Sequence, residues 1–127
     1  MPEIHVLLIK PYRYPERITI QPGLESLQKQ VGGGIEAIYP FEDPVAIICN
    51  EEGKLQNMPL NRALFDENGD VGDIIVGNFL VVGLGDEDFT SLSDEMMRKY
   101  EERFHYPEDF LQIGGQTIVI RDDMGVR

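Results

Sequence analysis

An α+β fold, with a mixed β-sheet packed by two main helices on one face, is the class this sequence predicts. Three observations carry it. Apolar runs of strand character, "EIHVLLIK", "VAIIC" and "IIVGNFLVVG", recur along the chain. Two other stretches place apolar residues at helical spacing. Gly, Pro, Asn and Asp punctuate these segments, and no repeat or linker divides the 127 residues, so a single domain over 1–127 is expected.

The elements follow in order. "EIHVLLIK" reads as a strand, "PYRYP" turns it, and "RITI" pairs back as a hairpin. In "PGLESLQKQVGGG", Leu24, Leu27 and Val31 share one helix face, and Gly32 supplies the left-handed stop. "IEAIY" alternates as a third strand. "VAIIC", after the turn "FEDP", reads as a fourth, buried on both faces. "NMPLNRALF" suggests a short helical turn from Pro59, and "DENGDVGD" a loop. "IIVGNFLVVG" supplies one or two strands, with Gly77 at a bulge or a close backbone approach.

"SLSDEMMRKYEERFHYP" is the clearest helix. Ser93 caps it, Asp94 and Glu95 suit its positive end, Met97, Tyr100 and Phe104 form its apolar stripe, and Pro107 ends it. Asp94 with Arg98 and Glu95 with Lys99 are i,i+4 pairs. "QTIVIRDD" adds a last strand before a mobile tail over 121–127. Two strands, a helix and further strands make a β-grasp-like start one topology that fits.

Charge narrows the function classes. The net charge is −12, from 23 acids and 11 bases. Residues 61–127 carry −9 of it, and from Ala63 to Met97 there are nine acids and no base. Such a field favours solubility and a basic partner, and it disfavours direct contact with nucleic acid or anionic membranes. The lone Cys49 offers no internal disulfide. The opening apolar run is short for a signal sequence, and the longest such run falls short of the roughly 20 residues of a membrane span. A reducing cytoplasm is therefore expected.

The polar stretch "CNEEGKL", close to "PLNRAL", is the densest candidate for chemistry. As a tight turn it uses Asn, acids and a positive-φ Gly53. As a ligand site it would gather Asn50, Glu51, Glu52, Lys54, Asn61 and Arg62, with Lys54 and Arg62 on an anionic group and Glu51 or Glu52 as base. Other motifs fail on spacing. "QVGGGIE" follows a helix and precedes a strand, the reverse of a phosphate loop. "DENGDVGDIIVG" has Val71 where a calcium loop needs Gly and Gly77 where it needs Glu. Neither His5 nor His105 has a partner at zinc spacing, and Cys49 reads as a buried, inert thiol. No metal and no cofactor is expected.

Four separated segments, "LESLQKQVGGGIEAIYP", "CNEEGKLQNMPLNRAL", "DIIVGNFLVVG" and "LSDEMMRKYEERFHYPEDF", resemble a family of small bacterial and phage proteins. That family is catalogued as a domain of unknown function and is often carried by mobile elements such as conjugative transposons. The resemblance runs from Leu24 to Phe110 and implies no activity, substrate or catalytic residue. Its setting points toward host interaction by association alone. The reading favoured is a non-enzymatic acidic interaction domain that binds a basic protein. The alternative is a polar-ligand protein or enzyme built on the six residues above.

Overall fold

The computed structural model describes residues 2–121. Strands β1 (Ile4–Ile9) and β2 (Glu16–Ile20) form an antiparallel hairpin, followed by helix α1 (Leu24–Val31). Next come β3 (Ile35–Ile38), β4 (Val45–Asn50), β5 (Leu60–Phe65), β6 (Val71–Val76), β7 (Phe79–Leu84) and the short β8 (Phe89–Thr90). Helix α2 (Asp94–Arg103) precedes a closing hairpin of β9 (Glu108–Ile113) and β10 (Gln116–Arg121). The α+β class with two helices holds. The strands form a 6-stranded sheet, ordered β2-β1-β7-β4-β3 with β8 on β7, and two separate hairpins, and the sheet is antiparallel where a mixed one was expected. Every pairing among the described residues is antiparallel. The chain opens in the order β1, β2, α1 and β3, and β1 takes β7 as its second neighbour.

The helices do not share a face of the sheet, which corrects the sequence reading. The central strands are apolar on both sides, and alternation splits them between two cores. Val6, Leu8, Ala46, Ile48, Leu80 and Val82 pack on Leu27 and Val31 of α1. Leu7, Ile9, Val45, Ile47, Phe79 and Val81 pack on Met97, Tyr100 and Phe104 of α2, joined by Leu64 and Ile75 of the β5–β6 hairpin. A sheet buried on both faces needs a cover on each, so one helix goes to each side. Leu24, assigned to the buried stripe of α1, is 57% exposed at its first turn.

Two local expectations also change, and a third resolves to its two-strand form. No helical turn forms at "PLNRALF"; residues 60–65 are strand β5. "IIVGNFLVVG" divides between two sheets, with Gly77 at φ 70 between β6 and β7 and a Cβ there only 2.8 Å from Met58 Sδ. Strand β9 was not anticipated. It pairs with β10 through Gly114-Gly115, both at positive φ, as a two-residue hairpin loop requires. Arg121 belongs to β10, and the rest of the expected tail, 122–127, lies outside the described residues.

Helix α2 follows its sequence signals closely. Ser93 Oγ accepts from the Met96 N–H at 3.2 Å. Phe79 meets Phe104 edge-on with centroids 5.4 Å apart. Two of its charges find tertiary partners: Arg17 Nε donates to Glu101 at 2.7 Å, and Lys99, expected to pair with Glu95, pairs with Asp43. Tyr100 also donates its hydroxyl proton to Asp43 Oδ2 at 2.7 Å. Lys99 first, then Tyr100, holds the Asp43 carboxyl below its ordinary value. A lowered folded-state value stabilises above the unfolded pKa, and that contribution disappears as pH falls through the folded one. Asp43→Asn should therefore melt below wild type at neutral pH. The gap should start to close below about pH 4, as a pH series of thermal unfolding would record.

Candidate functional site

The segment from Asn50 to Met58 is a helical turn rather than a tight hairpin. The Gly53 N–H donates to Asn50 O, Gln56 N–H to Glu52 O, and Met58 N–H to Gly53 O. Gly53 is not at positive φ, contrary to expectation; a Cβ there would lie 2.7 Å from Val76 Cγ2. Its role is room for β6, while Asn57 takes the left-handed conformation, at φ 53. Asn50 is buried, and both ends of its amide are engaged. Its Nδ2 donates to Val31 O at 3.1 Å, and its Oδ1 accepts from Glu52 N–H at 2.8 Å. It thus ties the end of α1 to the start of the turn.

Asn50, Glu51 and Lys54 line one cavity of about 260 Å³ together with Glu36, Cys49 and Asp73. Lys54 Nζ donates to Asp73 Oδ1 at 2.6 Å. The cavity therefore has three carboxylates around one paired ammonium, an arrangement that does not suit an anion. Burial, with Glu36 and Asp73 adding to it, pushes the Cys49 thiol up to about 11. The thiolate needed of a nucleophile is scarce at neutral pH. Glu52 is exposed and does not line this cavity.

Asn61 and Arg62 are placed elsewhere, inside the protein at 0% and 1% exposure. Asn61 Nδ2 donates to Ile9 O at 3.0 Å and Gly77 O at 2.7 Å, bridging β1 to the turn before β7. Arg62 gives Nε and Nη2 to Phe104 O at 3.2 and 3.0 Å, Nη2 to Arg13 O at 2.8 Å, and Nη1 to Asn61 Oδ1 at 2.8 Å. Its fork is spent on oxygens of the protein, so Arg62 does not join Lys54 as an anion clamp. Burial lowers its pKa to about 10, opposed by the charge of Glu108. Glu108 is itself 7% exposed and accepts from Ala63 N–H at 2.8 Å. Burial raises its pKa. Glu108 was not singled out in the sequence, where "HYPEDF" gives no sign that one of its two acids is enclosed.

The nine acids of the base-free stretch separate into two groups. Asp66, Glu67, Asp70 and Asp73 belong to the β5–β6 hairpin, and Asp66 and Glu67 share a cavity with Arg103 and Phe104 at the C-terminal end of α2. The tip "DENGD" is held by its own backbone, with Asp66 Oδ1 accepting from Asn68 and Asp70 N–H groups. Asp94 and Glu95 begin α2 at its other end, roughly 15 Å away for a helix of this length. The Leu92 N–H donates to His5 O, which fixes that end beside the start of β1. Asp86, Glu87 and Asp88 follow β7 at this same end of the sheet, because β7 runs antiparallel to β1. They line a shallow groove of about 320 Å³ with Tyr39, Leu84 and Phe89, and no base lines it. Tyr39 is 59% exposed there.

Among the described residues, no group of three or more His, Cys, Asp or Glu gathers as a metal-ligand set. No helix among them is long and apolar enough to cross a membrane. No curated protein and no solved structure matches the chain. A family model does match, over residues 4–105, which takes in the whole central sheet and both helices and stops before the β9–β10 hairpin. The chain belongs to that family, described as a domain of unknown function (DUF3846).

Proposed function

We propose that this protein is a non-enzymatic interaction domain that docks a basic protein partner on the acidic end of its central sheet. The supporting observation is the groove where three consecutive carboxylates, Asp86 to Asp88, flank exposed Tyr39 and Leu84 with no base among the lining residues. Carboxylates there would attract Lys and Arg side chains over a distance set by the ionic strength, and Tyr39 offers an aromatic face to a cation. Asp94 and Glu95, at the same end, extend the field. A cytoplasmic setting and carriage by a phage or mobile element, as the resemblance implies, would make that partner a host protein.

The rival reading, a polar-ligand or catalytic site on Asn50, Glu51, Glu52, Lys54, Asn61 and Arg62, lacks its anion clamp because Arg62 is engaged with Phe104, Arg13 and Asn61. An acidic domain could also engage a basic partner by imitating nucleic acid, but that would need its acids on one surface, and their division across α2 weighs against it.

Calorimetric titration with a lysine- and arginine-rich peptide tests the proposal. The triple variant Asp86→Asn, Glu87→Gln, Asp88→Asn should bind about tenfold more weakly, three exposed charge contacts together being worth about 1.4 kcal/mol. The wild-type affinity should also fall as salt shortens the screening length from about 10 Å to about 3 Å. Unchanged affinity in the variant, or indifference to salt, refutes the docking surface.

A further inference from the structure

We propose that a second site, at the opposite end of the sheet from the acidic groove, binds a small organic phosphate. It stands independently of the interaction reading. The site is a wide-mouthed cavity of about 540 Å³, more open than the acidic groove and within the size range of small-molecule pockets. Its charged lining residues are Lys10, Arg13 and Lys29, and no acid lines it. This is a concentration against the composition, because the chain has twice as many acids as bases. No run of basic residues announces it in the sequence. The fold assembles it from the loop after β1 and the last turn of α1.

The charges are available. Arg13 and Lys29 are exposed and form no ion pair among the described residues. Lys10 is shared with Glu16 at 3.7 Å, a half-exposed contact of the weak surface kind. The negative end of α1 also faces this region, and it is partly quenched: Gln28 O accepts from Gly32 and Gly33 N–H, and Val31 O from Asn50 Nδ2. Pro11, Tyr12, Met58 and Pro59 are among the uncharged residues of the wall. Three cations suit a doubly charged phosphoryl group, and the apolar wall suits the organic body attached to it.

The walls are held in place from beneath. Asn61 joins Ile9 O, just before Lys10, to Gly77 O on the facing wall, and Arg62 grips Arg13 O. The loop itself closes through Arg13 N–H on Lys10 O and puts Tyr12 at φ 64, a conformation few non-glycine residues adopt. These buried clamps are positioning residues for a cavity they do not line. Ligand binding to such a preorganised wall avoids an ordering cost.

Amide chemical shifts of the labelled protein, titrated with phenyl phosphate, inorganic phosphate and benzoate, test the assignment. Phenyl phosphate should shift Lys10, Tyr12, Arg13, Gly32, Gly77 and Asn78 saturably and bind more tightly than either other probe. Arg13→Ala and Lys29→Ala, both at exposed side chains, should each weaken it about fivefold. Arg98→Ala, the same charge change outside the cavity, should leave it unchanged. Failure to shift the cavity amides, equal affinity for inorganic phosphate or benzoate, or an equal loss in Arg98→Ala would each overturn the proposal.

Discussion

Replacing Arg62 with alanine is expected to destabilise the fold by about 3–5 kcal/mol, the cost of breaking a buried charged network by removing one member. The magnitude follows from what is stranded. Phe104 O loses two donors, Arg13 O loses one, and Asn61 Oδ1 loses the guanidinium it accepts from. Glu108, 7% exposed, also loses the cation that does most to offset its burial. The carbonyls belong to the end of α2 and the loop after β1, so the penalty falls on the junction of the β5–β6 hairpin with the rest of the fold. Arg62→Lys should fall between wild type and alanine, since an ammonium keeps the charge and loses the planar fork. Urea unfolding measures all three. A loss below about 1 kcal/mol for Arg62→Ala would mean that the network is worth no more than one ordinary hydrogen bond.

Gly83→Ala is expected to cost about 3 kcal/mol for a different reason, lack of space. A Cβ at this position would lie 2.3 Å from Ser91 O and 3.0 Å from Ser91 C. Both are backbone atoms, so no rotamer change relieves the overlap. Gly83 pairs with Thr90, and the next residues anchor to β1 through Leu92 N–H on His5 O and His5 N–H on Ser91 Oγ. Accommodating one methyl group should therefore peel β8 and the start of α2 from the sheet. Thermal unfolding would report the loss, and hydrogen exchange should show protection reduced first at Leu84, Leu92 and Met97. Wild-type stability in Gly83→Ala would show that the β8 connection yields easily.

Much of this fold was legible because local signals and tertiary burial agree. The helix from Asp94 carried a cap, an acidic first turn and a stripe, and each has a structural counterpart. The layer arrangement was less accessible, though "VAIIC" hinted at it: a strand buried on both faces implies cover on both. β5 was mistaken because residues 61–64 are all buried, two of them polar, which erases the alternation a strand normally displays. Its Asn-Arg pair suggested an exposed site for the same reason, since an arginine at 1% exposure is uncommon. β9 escaped notice because Leu111 and Ile113 face outward and advertise no buried side.

The candidate site was less legible than the fold. Asn50, Glu51 and Lys54 do meet at one cavity, whereas Asn61 and Arg62 became clamps, a distinction set by which way residues of β5 turn. Charge segregation was hidden further. The acids of Ala63 to Met97 are contiguous in sequence and divided in space, while Lys10, Arg13 and Lys29 are scattered in sequence and gathered at one cavity. Strand direction decides both outcomes, because an antiparallel β7 returns Asp86 to Asp88 to the start of β1.

Mapping a lysine- and arginine-rich peptide onto the labelled protein by amide chemical shift tests the acidic docking surface most directly. The largest changes should fall at Tyr39, Leu84 to Phe89, Asp94 and Glu95, and should fade when salt is raised. Shifts centred on the Asn50–Asn57 turn or the β5–β6 hairpin, or none at all, would contradict it.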